Sequence, residues 1–130
     1  MRKIMFFLSV IAFFLAVVAL LVTVVLSSCF ADSNAEGLAD AIFLAEGGYK
    51  ATYLYGIRSV KYDTEAEARQ ICLNTIRNNE KRYADYGYKK YDTYLEFLAS
   101  RYCPINADND PRGLNQNWLK NVKYYYKGAK

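Results

Sequence analysis

The chain has 130 residues, a formal charge of +4 and no histidine. That length supports one modest core, and the charge is too weak to argue for a nucleic-acid partner. Without histidine, Ser-His-Asp and Cys-His catalysis as usually built are excluded and the commonest metal ligand is missing. Acid–base chemistry at neutral pH therefore falls to Asp, Glu, Lys, Tyr or Cys, and the residues call for no cofactor and no metal.

Arg2 and Lys3 precede an apolar run from Ile4 to Leu26 that only Ser9 and Thr23 interrupt. As a helix the run would measure about 34 Å, enough to cross a bilayer with some tilt. It exceeds the 7–15 or so apolar residues of an ordinary signal peptide. Positive charge before the run places the remainder of the chain outside the cytoplasm. Residues 1–31 thus read as a leader or membrane helix, and 32–130 as an exported domain with a charge near +2. Leu26-Ser27-Ser28-Cys29 resembles the lipobox of bacterial lipoproteins, which would make Cys29 the lipidated residue. An uncleaved anchor, or cleavage after Cys29-Phe30-Ala31, stays open beside it. All three export the domain, and the first two hold it at a membrane, on the periplasmic or extracytoplasmic face of a bacterial envelope. Cys72 and Cys103 are then an even pair in a compartment where disulfides persist. A bridge is expected between them, with two buried free thiols as the alternative.

Ser33-Asn34-Ala35-Glu36 matches a capping box and predicts a helix start. Leu38, Ala41, Ile42 and Ala45 recur on one face, and Gly47-Gly48 stops the helix. From Lys50 to Tyr62 no helical period is present. Tyr53, Tyr55 and Ile57 alternate, which predicts extended chain or a short β-hairpin around Gly56. Thr64 to Glu67 is a second capping box, and a helix should run from there to about Asp85, with Ala68, Ile71, Cys72, Thr75 and Ile76 inward. Tyr86-Gly87-Tyr88 breaks it. Asp92 or Thr93 caps a third helix that ends at Cys103-Pro104, with Tyr94, Leu95, Leu98, Ala99 and Tyr102 inward. Ile105 to Gly113 is a loop. The last helix, from about Asn115 to Lys127, carries Leu114, Trp118, Val122 and Tyr125 on one stripe, with Trp118 as its anchor. The fold class is mainly α.

Glu46 stands out chemically. A carboxylate in the last turn of a helix faces the negative end of the helix dipole. Apolar and aromatic neighbours also disfavour its ionisation. A carboxyl kept protonated near neutral pH is what a general acid for glycosidic cleavage requires. Asp63 could hold a water as a second carboxylate or cap the helix near Thr64. Thirteen tyrosines offer flat faces with hydroxyls, suited to a core edge or to sugar stacking.

The order helix, Ile42-x-x-x-Glu46, glycine break and Tyr55-Gly56-Ile57 turn resembles the start of the lysozyme-like superfamily, including lytic transglycosylases and goose-type lysozymes. Cys72-x-x-Thr75-Ile76, Arg101-Tyr102-Cys103-Pro104 and Asn117-Trp118-x-x-Asn121-Val122 are similar to short phage and bacterial proteins of this layout. The resemblance implies a small lysozyme-like helical domain in which Glu46 is the single catalytic acid and base. It implies peptidoglycan as the partner, with Tyr53, Tyr55, Gly56 and Tyr102 along a saccharide groove and Tyr55 or Tyr102 bonding to the acid. Ser59 stands where the family has a glutamine three residues after the turn glycine, and Tyr102 is the nearest counterpart of the family's Tyr-Asn-Ala-Gly motif. The rival reading is a non-catalytic envelope lipoprotein or anchored module that binds glycan or a protein. A phage factor acting on the host envelope overlaps both.

Overall fold

The computed structural model describes residues 2–108, 110 and 112–126, with the side chains of 2–10 and 27–33 outside the described set. The chain divides into two compact units, Met1–Ser33 and Asn34–Lys130. Four α-helices are assigned among the described residues: α1 (Arg2–Ala45), α2 (Glu65–Asp85), α3 (Tyr94–Tyr102) and α4 (Trp118–Tyr125). Short 3-10 turns at Gly48–Lys50, Leu54–Gly56, Gly87–Lys89 and Leu114–Asn117 join them. The protein is mainly helical, as its periodicity implies.

In the first unit, the described side chains of residues 11–26 are all exposed, among them Phe13 at 73% and Phe14 at 68%. Among the described residues no helix is long and apolar enough to cross a membrane, so the expected N-terminal membrane helix is not supported. The expected lipidation site, the Cys29 side chain, lies outside the described residues. The predicted helix start at Ser33 is also not observed. From Leu26 to Leu38 the chain holds one glycine and no proline, and α1 is assigned across that stretch.

The second unit is built around the last turns of α1. Ala35, Leu38, Ala39, Ala41 and Ile42 are buried, and four small or β-branched side chains among them let neighbouring helices approach closely. Ala68, Cys72, Leu73 and Ile76 of α2, Leu98 of α3 and Trp118 and Val122 of α4 complete the core. Leu114 and Tyr125, predicted inward, are exposed. Caps fix two helix starts. Thr64 Oγ1 accepts from the Glu67 amide at 3.2 Å, while Glu67 reaches back to the Asp63 amide at 2.8 Å. Thr93 and Glu96 form a complete capping box, worth about 1 kcal/mol. Arg69 ties α2 to α1 through Glu36 and Asp40, each at 2.6 Å.

Tyrosines gather at the core edge. Tyr83, Tyr86 and Tyr91 pack around the Phe97 ring with centroids 5.6–5.9 Å away. Gly87 makes room for that cluster, since a Cβ there would come within 2.8 Å of Phe97.

The predicted hairpin is absent, for no strand is assigned among the described residues. Instead Tyr55 and Gly56 both take left-handed backbone, with φ of 55° and 67°. Two such residues in succession make a tight turn of the kind that can close a hairpin, held here by the Gly56 and Ile57 amides donating to Tyr53 O and Leu54 O at 3.0 and 3.1 Å, but no ladder is assigned beside it among the described residues. The Tyr62 hydroxyl accepts from the Leu54 amide at 2.8 Å and holds that turn.

Candidate active site

The end of α1 is set by two glycines in left-handed backbone, Gly47 at φ 103° and Gly48 at φ 58°. The Glu46 amide still donates to Ile42 O at 3.0 Å, so Glu46 keeps its place one turn after a buried residue. Its side chain therefore leans over the core edge and not into open solvent. The Leu54–Gly56 turn closes on it from the other side. An ideal Cβ on Gly56 would lie 2.7 Å from the Glu46 carboxyl carbon and 2.8 Å from each oxygen. Only a glycine admits the carboxyl there.

Glu46 sits on a cavity of about 750 Å³, within the range of about 300–1,000 Å³ typical of ligand sites. Gly56, Arg58, Tyr102, Cys103, Asn117 and Trp118 are among the residues around it. The Trp118 indole N–H donates to Glu46 Oε1 at 2.8 Å. Tyr102 stacks on Trp118 with centroids 5.1 Å apart and planes 23° apart. Cys103 Sγ approaches the same Oε1 at 3.9 Å.

Burial raises the pKa of Glu46, and this outweighs the opposing pull of the Trp118 bond, the Arg58 charge and the Cys103 thiol. Glu46 is thus a carboxyl biased toward its protonated form with an indole donor fixing one oxygen. Because that donor favours the charged form, Trp118→Phe should shift the alkaline limb of any Glu46-dependent activity to higher pH. The loss of one hydrogen bond should also lower activity at the optimum roughly fivefold, from about 1 kcal/mol. A pH–rate profile of the variant checks both, and an unmoved alkaline limb would refute the indole's role.

The structure sorts the other predicted residues. Tyr102 and Gly56 border the cavity. Tyr55 does not contact it as a sugar platform, because its side chain is buried at 2% exposure. Its ring packs on Phe43, and its hydroxyl accepts from Arg69 at 3.2 Å. Tyr53 is exposed with Arg58 over its ring and stands outside the cavity lining. Neither Tyr55 nor Tyr102 bonds to the acid. The Tyr102 hydroxyl donates to the Tyr55 carbonyl and so locks the left-handed turn beside Glu46. Asp63 lies outside the cavity lining and is not the cap, a role Thr64 fills.

The expected disulfide is not formed. Cys72 and Cys103 are separate thiols, the first directed at the Tyr102 hydroxyl at 3.9 Å and the second at Glu46. Burial, as the first cause, pushes each up to about 12, so neither is a nucleophile at neutral pH.

Three groups at the site were not assigned there from sequence. Trp118 is the anchor of α4 that was predicted, at 5% exposure, yet its N–H serves Glu46. Arg58 comes after the turn glycine at a position that carries no helical or strand pattern. Asp110 also lines the cavity, but its two oxygens accept from the amides of Leu114 and Asn115 at 2.8 and 2.7 Å. Among the described residues no three Cys, Asp or Glu side chains gather to hold a metal ion. Compared with protein-family models, with curated proteins and with solved structures, the chain matches none.

Proposed function

We propose that the protein is a peptidoglycan-cleaving glycosidase of lysozyme-like type, with Glu46 as its single general acid and base. The observation that carries this reading is the Glu46 carboxyl, its pKa raised by burial, set on a 750 Å³ polar cavity and oriented by the Trp118 indole. The exposed amides of Asn117 and Asn121 line the cavity beside Tyr102 and supply hydrogen-bonding surface of the kind that sugars require.

In the proposed reaction Glu46 gives its proton to the glycosidic oxygen between MurNAc and GlcNAc as the C1–O bond breaks. The resulting carboxylate then takes the proton of the incoming nucleophile. Asp110 is the other carboxylate at the cavity, and both of its oxygens are already engaged by backbone donors. That favours an internal nucleophile, the MurNAc 6-hydroxyl, over a water activated by a second carboxylate. The product would be a 1,6-anhydro sugar, as in lytic transglycosylases.

The place of action is the extracytoplasmic face of a bacterial envelope. Exposed apolar side chains over residues 11–26 and the Leu26-Ser27-Ser28-Cys29 sequence support attachment there through the leader or a lipid. Incubating the protein with peptidoglycan and reading the released muropeptides by mass spectrometry tests the assignment. Anhydro-muropeptides are expected. Saturable glycan binding without release would replace the enzyme by a binding module, and neither would overturn both readings.

A further inference from the structure

A second cavity, of about 300 Å³, adjoins the first and shares Gly56, Arg58, Ser59 and Tyr102 with it. Three guanidinium groups surround it: Arg58 from the turn, Arg82 from α2 and Arg101 from α3. All three are exposed, and none forms an ion pair among the described residues. Arg101 is held over the Phe97 ring at 5.8 Å and Arg58 over the Tyr53 ring at 5.7 Å, so two of the three cations are oriented by aromatic faces. No carboxylate stands among the described lining residues. Three like charges around one hollow, with no carboxylate in its described lining, repel each other and favour an anion between them.

Asn79 adds a second and different requirement. It lines the same cavity and is 5% exposed. Its Nδ2 donates to Thr75 O at 2.9 Å, which turns the amide so that Oδ1 is an acceptor. That oxygen is buried with no partner. Leaving a buried acceptor unsatisfied costs free energy, and native structures hold few of them. The site therefore asks for a hydrogen-bond donor beside a negative charge. Sulfate or chloride supplies only the second, and a neutral sugar supplies no charge at all.

We propose that this cavity holds the peptide stem of peptidoglycan, with a stem amide N–H donating to Asn79 Oδ1 and stem carboxylates between Arg82, Arg101 and Arg58. The inference rests on the glycosidase reading for its choice of substrate. Each MurNAc carries its stem through the lactyl group, and this cavity shares Gly56 and Tyr102 with the Glu46 cavity, so one bound strand would present its sugar to the one and its stem to the other. The stem would then fix which sugar of the chain meets Glu46, and cleavage would prefer glycan that still bears peptides.

Isothermal titration of the full-length protein in mild detergent with a synthetic stem tetrapeptide tests the proposal directly. The tetrapeptide should bind saturably, and converting its carboxylates to carboxamides should weaken binding at least tenfold. The double variant Arg82→Gln/Arg101→Gln should lose at least tenfold with its thermal unfolding unchanged. Asn79→Leu should also weaken binding severalfold, whereas a purely structural Asn79 would leave affinity untouched. Absence of saturable binding, equal affinity for the amidated peptide, or equal competition by inorganic phosphate would each overturn the stem assignment. Glu46→Gln separates the two ideas, since it should bind the tetrapeptide as the wild type does. Stem binding without glycan release would reject the glycosidase and keep this site. Release without stem binding would do the reverse.

Discussion

Glu46→Gln is expected to lower muropeptide release by about a thousandfold, within the range that a positioned general acid contributes, while the protein stays folded. The substitution keeps the shape of the side chain and an oxygen that can still accept from the Trp118 indole, 2.8 Å away in the wild type. It removes only the transferable proton. Stability should move the other way. Burial raises the pKa of Glu46 in the folded state, so the folded protein binds more protons than the unfolded chain between the two pKa values. Its contribution to stability is then fully present below the unfolded pKa, about 4.3, and is lost as pH rises through the folded value. Above the folded value the wild type carries a half-buried carboxylate that glutamine does not. The variant should therefore melt at or above the wild-type temperature at pH 7, and the difference should close in acid. Unchanged release would move the acid elsewhere, and a variant that melts lower at pH 7 would show that the carboxylate is well solvated.

This combination of lost activity and retained or gained stability separates a catalytic carboxyl from a structural one. Arg69 with Glu36 and Asp40 is the structural contrast. There one guanidinium faces two carboxylates, each at 2.6 Å and partly open to solvent. Glu46 forms no such pair among the described residues, and the effect of the Arg58 charge on it is outweighed by burial.

How much of the protein was legible in its sequence depends on the range of the interactions involved. Helix starts at Thr64 and Thr93 and the stop at Gly47-Gly48 are local chemistry within four residues, and they appear where the pattern puts them. Glu46 was legible for the same reason, as a carboxylate one turn after Ile42 at a helix end. The hairpin failed because alternation of Tyr53, Tyr55 and Ile57 mimics a strand. The left-handed Tyr55 depends instead on contacts far along the chain, with Arg69 at its hydroxyl and Tyr102 at its carbonyl. The same distance hid the indole bond, since Trp118 and Glu46 are 72 residues apart. Pairing Cys72 with Cys103 rested on counting and compartment, which say nothing of the direction of a thiol. Each sulfur is turned to a different partner, Tyr102 and Glu46. The basic cavity was invisible too, because Arg58, Arg82 and Arg101 come from three separate segments and form no run.

Gly56→Ala is expected to cost about a hundredfold in release, comparable to displacing a reacting group by about 1 Å, and only about 1 kcal/mol in stability. The two losses have different origins. Gly56 has φ 67°, and holding alanine in left-handed backbone accounts for most of the stability cost. The added methyl would stand 2.7 Å from the Glu46 carboxyl carbon, a separation that the pair cannot keep. The glutamate side chain is the flexible partner and the turn is locked by Tyr102, so the carboxyl swings away and leaves the Trp118 N–H. Energetically that displacement is small, but the proton then starts from the wrong place. Gly113→Ala provides the comparison, with a similar φ of 65° but a Cβ that meets nothing nearer than the Gln116 amide at 3.9 Å. It should lose a similar amount of stability with a far smaller loss of release. Equal activity losses in the two variants would assign the effect to backbone strain. A hundredfold gap between them would show that the turn glycine serves the carboxyl, because only there does the missing side chain leave room for the acid.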